Sequence, residues 1–111
     1  MQNKPIVYVC SPLRGDIKRN INKAKGYSRF VYAEGCIPLA PHIMFTQFLD
    51  DEDEDERKAG IEMGLKLLSV CDEIWVFGEK LSEGMNTEIE IAKKLGIKIK
   101  RFDERCEPIG E

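Results

Sequence analysis

Short runs of β-branched and aromatic residues alternate along this chain with stretches whose apolar residues recur at helical spacing, and that alternation limits its possible folds more than any other feature. "PIVYVCS" (5–11) is apolar and lies between a lysine and "PLRGD", as a buried strand would. From Ile17 the spacing changes to Ile17, Ile21, Ala24, Val31, which lines one helical face, and Gly35 is placed to close it. "CIPLAP" reads as a second short strand and "HIMFTQFL" as one or two helical turns. Ile61, Leu65 and Leu68 mark another helical face. "DEIWVFG" is a third strand, "MNTEIEIAKKLG" a helix ending at Gly96, and "IKIKRF" a fourth strand whose alternation puts it at a sheet edge.

Strands and helices in this order imply βαβ crossovers and a mostly parallel sheet covered on both faces, a three-layer α/β architecture of the Rossmann or flavodoxin-like kind. With 111 residues, 42% of them apolar, a single domain over 1–111 is expected. Ligands of such sheets bind beyond the carboxyl ends of the strands, where the strand order reverses. That rule selects three loops: "SPLRGD", "APH" and "GEKLSEGMN". The tail "DERCEPIGE" reads as peripheral.

No apolar run is long enough for a membrane span, and a strand-like segment follows the N-terminus at once, so a cytoplasmic protein without membrane partners is expected. Cys10, Cys36, Cys71 and Cys106 are widely spaced with no CxxC pair, which fits reduced thiols better than a zinc site, and no metal is expected. The net charge of −3 hides an asymmetry: "DDEDEDE" (50–56) carries −7, and removing it from the total leaves +4 for the rest. Such a run reads as a solvated, mobile and dispensable segment, with a divalent-ion site or a charged lid as the other readings. Nucleic acid is not an expected partner, because the lysines are dispersed and the acidic run repels phosphates.

"SEGMNTEIEIA" (82–92) holds two glutamates two residues apart. At about 100° per residue they point to nearly opposite sides of a helix. Glu88 falls on the face with Met85, Ile91, Ala92 and Leu95, whereas Glu90 falls with Lys93 and Lys94. A carboxylate on an apolar stripe is unfavourable unless it is paired or opens into a cavity, and beyond the end of a strand that cavity is the ligand crevice. Helix-end chemistry is the other reading: Thr87 and Glu90 have the spacing of a capping box, and a first-turn glutamate gains from the macrodipole. It accounts for Glu90 better than for Glu88.

In "YVCSPLRGD" a turn between strand and helix holds Ser11, Arg14, Gly15 and Asp16, and free backbone N–H groups beside a guanidinium suit a phosphate. Together, "YVCSPLRG", "CDEIWVFG" and "SEGMNTEIEIA" resemble the nucleoside 2-deoxyribosyltransferase superfamily, including its 2'-deoxynucleoside 5'-phosphate N-hydrolase branch, in order and spacing over most of the chain. The family's tyrosine and arginine-glycine turn match Tyr8, Arg14 and Gly15. Its strand aspartate and S-x-G-x-x-x-E loop match Asp72, Ser82, Gly84 and Glu88. One position departs: the N-hydrolases carry an aspartate eight residues ahead of the strand aspartate, where this chain has Gly64, and Glu62 should lie on another helical face.

The resemblance implies cleavage or transfer at the N-glycosidic bond of a nucleoside, nucleotide or related metabolite, with Glu88 as the nucleophile. Tyr8 would position Glu88 or the sugar, and Asp16 or His42 would assist, His42 by giving a proton to the departing base. Arg14 and Gly15, with Ser11, Ser82, Gly84 and Met85, form the expected substrate contacts. No cofactor is expected. A homodimer or higher homo-oligomer is expected, because so short a chain gives its crevice few walls. The alternative is a non-catalytic module that binds nucleotides or nucleotide-derived signals in the same crevice, and Gly64 favours it.

Overall fold

The computed structural model describes residues 3–110. Four strands, β1 (Ile6–Cys10), β2 (Ile37–Leu39), β3 (Glu73–Phe77) and β4 (Lys98–Phe102), form one sheet in the order β2-β1-β3-β4. All three pairings are parallel, with Ile6 opposite Ile37, Val7 opposite Glu73 and Glu73 opposite Lys98. The architecture is therefore the expected α/β one, and β4 is an edge strand. The chain leaves β1 toward β2 and returns on the other side of β1 to make β3. The strand order thus reverses at β1, where such folds place their ligands.

Four helices connect the strands: α1 (Ile17–Ala33), α2 (Pro41–Phe45), α3 (Glu54–Leu68) and α4 (Glu83–Leu95). Alternate strand residues feed two cores. Val7, Val9, Trp75, Phe77 and Phe102 pack with Tyr27 and Val31 of α1 on one face. Tyr8, Cys10, Ile74 and Val76 pack on the other face with Leu68 of α3 and Met85, Ile89 and Ala92 of α4. All four cysteines are free thiols; Cys10 and Cys71 are buried.

The helix ends have local causes. Asp16 accepts a hydrogen bond from the Arg19 N–H (3.2 Å) to start α1, and Gly35 follows its last turn at φ +87°, the left-handed conformation a glycine adopts freely. Gly96 ends α4 in the same way, at φ +73°. Two expectations require correction. The acidic run is mostly exposed, but it is not without structure: Asp53 accepts from the N–H groups of Asp55 (3.0 Å) and Glu56 (3.1 Å), and Glu54, Asp55 and Glu56 form the first turn of α3. Carboxylates in a first turn are favoured by the capping bonds and by the positive end of the helix dipole. In α4 the cap is Ser82, whose Oγ accepts from the Met85 N–H (3.2 Å). Thr87 lies a turn further on, its hydroxyl donating to the Glu83 carbonyl (3.2 Å), and Glu90 lies on the exposed face 3.5 Å from Lys93. Glu88 therefore sits in the second turn of α4, still on the inward side.

The face marked by Ile61, Leu65 and Leu68 is also shifted. Ile61 is exposed, and the buried residues of α3 are Gly64 and Leu68. A Cβ on Gly64 would stand 3.4 Å from the Tyr8 hydroxyl, an ordinary van der Waals distance, so α3 packs directly against Tyr8 there. No described helix is long and apolar enough to cross a membrane.

Candidate active site

A cleft of about 480 Å³ opens beyond the carboxyl ends of β1, β2 and β3. The three loops selected from sequence all reach it. Ser11, Leu13 and Arg14 come from the first, Pro41 and His42 from the second, and Ser82, Gly84 and Met85 from the third. A fourth wall, formed by α2, α3 and the turn between them, was not foreseen; Phe45, Leu49, Asp51, Arg57 and Gly60 belong to it. Its sequence signal was slight: Gly60 and Gly64, four residues apart, share one helical side.

Tyr8 and Glu88 meet at the cleft. The Tyr8 hydroxyl donates to Glu88 Oε2 at 2.6 Å, the length of a strong hydrogen bond to a carboxylate. β1 positions the phenol, because its residue parity turns Tyr8 toward α3 and α4. Glu88 is half-buried, and α4 turns it inward beside buried Met85 and Ala92. Burial pushes the Glu88 carboxyl above its ordinary value, while the Tyr8 hydroxyl and the Cys10 thiol pull it back. Burial, with the neighbouring Glu88 charge, in turn raises the Tyr8 phenol, which stays protonated and able to donate. A desolvated carboxylate held by one oxygen and bordering a cavity suits attack on an electrophilic carbon.

A second polar pair lies in the same cleft, where Ser11 Oγ stands 2.9 Å from His42 Nε2. Burial lowers His42 to about 4, so the ring is neutral at pH 7 and stores no extra proton for a departing base. It can still exchange hydrogen bonds with a ligand, as Ser11 holds it in place.

The remaining sequence-predicted residues separate. Arg14, Ser82, Gly84 and Met85 line the cleft. Gly15 does not; it turns the chain at φ +98°, and Asn20 Nδ2 fixes that turn by donating to the carbonyls of Leu13 (2.9 Å) and Arg14 (3.1 Å). Asp16 caps α1 from an exposed position outside the cleft lining. Asp72 braces the sheet by accepting from the Ile6 N–H (2.8 Å). Gly64 lies beside Tyr8 and brings no carboxylate to the cleft, and Glu62 is exposed.

The all-parallel sheet with interleaved helices has a nucleoside 2-deoxyribosyltransferase-like fold. The structure resembles a 2-deoxyribosyltransferase from the psychrotolerant bacterium Bacillus psychrosaccharolyticus, with a TM-score of 0.68 at 17% identity over 95% of this chain and 77% of that one. It also resembles a 2-deoxyribosyltransferase from Leishmania mexicana, with a TM-score of 0.60 at 17% identity over 89% of this chain and 64% of that one. The chain belongs to the family described as Domain of unknown function (DUF7768), whose model matches residues 5–102. No curated protein matches it.

Proposed function

We propose that the chain cleaves or transfers the N-glycosidic bond of a nucleoside, nucleotide or related metabolite, with Glu88 as nucleophile. The observation that carries this reading is the 2.6 Å Tyr8–Glu88 hydrogen bond at a cleft beyond the strand ends. The fold shared with two 2-deoxyribosyltransferases supports the substrate class. In the first step a Glu88 oxygen bonds to the anomeric carbon as the carbon–nitrogen bond breaks, its electron pair leaving with the base, which takes a proton from water. In the second step water or another base attacks the same carbon and releases the carboxylate. Tyr8 orients the carboxylate, and the neutral His42–Ser11 pair offers hydrogen bonds to base or sugar. The reaction needs no cofactor.

Substituting Glu88→Gln keeps the shape and an acceptor for Tyr8 but removes the attacking anion, so turnover should fall by orders of magnitude while ligand binding largely survives. Glu90→Gln on the exposed face is the control and should keep turnover near wild type. The assay is chromatography for free base after incubation with a nucleoside and nucleotide panel. Base release undiminished in Glu88→Gln would refute the nucleophile. Gly64, which brings no carboxylate to assist the leaving base, favours the second reading, a binding module with no turnover. Wild type that binds panel compounds without releasing base would select it.

The reading includes one domain that pairs with a second copy. Met44, Phe48 and Ile61 are exposed apolar side chains on and beside the α2–α3 wall, and a partner would cover them. Light scattering at micromolar concentration should give a dimer or a higher oligomer; a strict monomer would contradict this.

A further inference from the structure

The acidic run reaches the cleft through Asp51. Its side chain is only 14% exposed, and Oδ2 lies 3.2 Å from the Nε of Arg14, whose own side chain is 59% exposed. That oxygen is buried and no hydrogen-bond donor is aligned on it among the described residues, so the contact is a pairing of charges. Arg14 thus faces a carboxylate where it would otherwise meet a phosphate. Glu56, Glu83 and Glu88 add three more carboxylates to the cleft lining, against one further guanidinium, Arg57.

A phosphate ester brings about −1.5 to −2 charges at neutral pH. To reach Arg14 it must either come up beside the Asp51 carboxylate at the guanidinium or displace it and leave a mostly buried carboxylate without its partner. Both courses are unfavourable. An uncharged ligand meets neither.

We propose that Asp51 is a specificity-determining residue which, by occupying Arg14, turns the cleft against phosphorylated ligands and selects a nucleoside over its 5'-phosphate. The inference rests on the nucleoside reading above and narrows it. It gives the acidic run a part in ligand choice that its charge pattern did not reveal.

The test is calorimetric binding of the four 2'-deoxynucleosides and their 5'-monophosphates to the full chain at low salt, as wild type, Asp51→Asn and Arg14→Gln. Wild type should prefer nucleosides, and Asp51→Asn should gain monophosphate affinity, narrowing the ratio about tenfold at a partly exposed site. Arg14→Gln leaves Asp51 unpaired and should widen the ratio, a result that stands even if Asp51→Asn fails to fold. Wild-type preference for monophosphates overturns the proposal, and its loss in Arg57→Gln would assign the phosphate to Arg57. So does a ratio that moves less than about twofold in both variants. Either outcome leaves the nucleoside reading intact, whereas failure of every compound to bind any form refutes that reading and this inference with it.

Discussion

The two faces of the sheet are built from alternate residues of the same strands, yet they differ in kind. On the α1 face Tyr27 stacks on Phe77 with ring centroids 4.4 Å apart, Phe30 meets Phe102 edge-on at 5.2 Å, and Trp75 and Phe102 lie 5.1 Å apart. Trp75, the one ring there with an N–H, donates it to Glu73 (2.8 Å) at the sheet's start. One residue along β1, the other face carries Tyr8 and Cys10 against Glu88. The first face satisfies every requirement of a core. The second brings a carboxylate inward against its own desolvation and keeps it there with a phenol. Stability and candidate chemistry are thus divided by strand parity, so a one-residue register shift would exchange them.

Substitutions can break this contrast, and the largest effect should come from the aromatic face. Phe77→Ala removes a fully buried ring with stacked and edge-on partners, and chemical denaturation should show a loss of about 3–5 kcal/mol. Ligand affinity of the folded fraction should stay near wild type. A loss under about 1 kcal/mol would mean that the ring cluster is not the anchor of the fold. Tyr8→Phe should cost less, about 1.5–3 kcal/mol, because it takes one charged-acceptor hydrogen bond from Glu88. That loss applies where Glu88 is ionised and fades in acid. Since Tyr8 holds the Glu88 pKa down, its removal should also shift the acid limb of any pH–activity profile to higher pH. An unmoved limb would detach Tyr8 from the titration of Glu88.

The smallest effect has the opposite sign. The folded-state pKa of Glu88 lies above its ordinary value of 4.5, chiefly through burial, so the folded chain binds this proton more readily than the unfolded chain does. The stabilising contribution is fully present below about 4.5 and is lost as pH rises through the raised folded value. Glu88→Gln, neutral at every pH, should therefore be more stable than wild type at pH 7, and the gain should shrink toward pH 4. Loss of stability at pH 7 would show that the buried carboxylate supports the fold.

The parts of the molecule legible in sequence were those governed by one local rule. The α1 stripe and the inward Glu88 follow from the 3.6-residue period. The three loops at the strand ends followed from topology, and all three line the cleft. The acidic run misled because Asp53 and Glu56 have capping-box spacing, yet lie inside an uninterrupted stretch of like charge that reads as solvated. Ser82 was passed over as the α4 cap in favour of Thr87, since Gly84 weakens the helix signal just after it; packing of Met85 against the sheet core carries the helix through that glycine. Asp51 and the α2–α3 wall depend on how α3 packs against the end of β1, across a sequence separation that no local motif spans.

The parallel pairing of β1 with β3 joins Val7 to Glu73, so Tyr8 and Glu88 come together only after most of the chain has closed around them. Neither end of the polypeptide holds both groups, and local order in either half leaves the pair unmade. Pairings of such long sequence separation fold slowly, because loop closure precedes any contact that rewards it. Whatever occupies the cleft is consequently bound by the whole molecule and not by a loop. Occupancy at a hundred times the dissociation constant would raise the global unfolding free energy by about 2.7 kcal/mol, so thermal shift in the presence of a compound library reads the ligand's identity directly from the melting of the entire sheet.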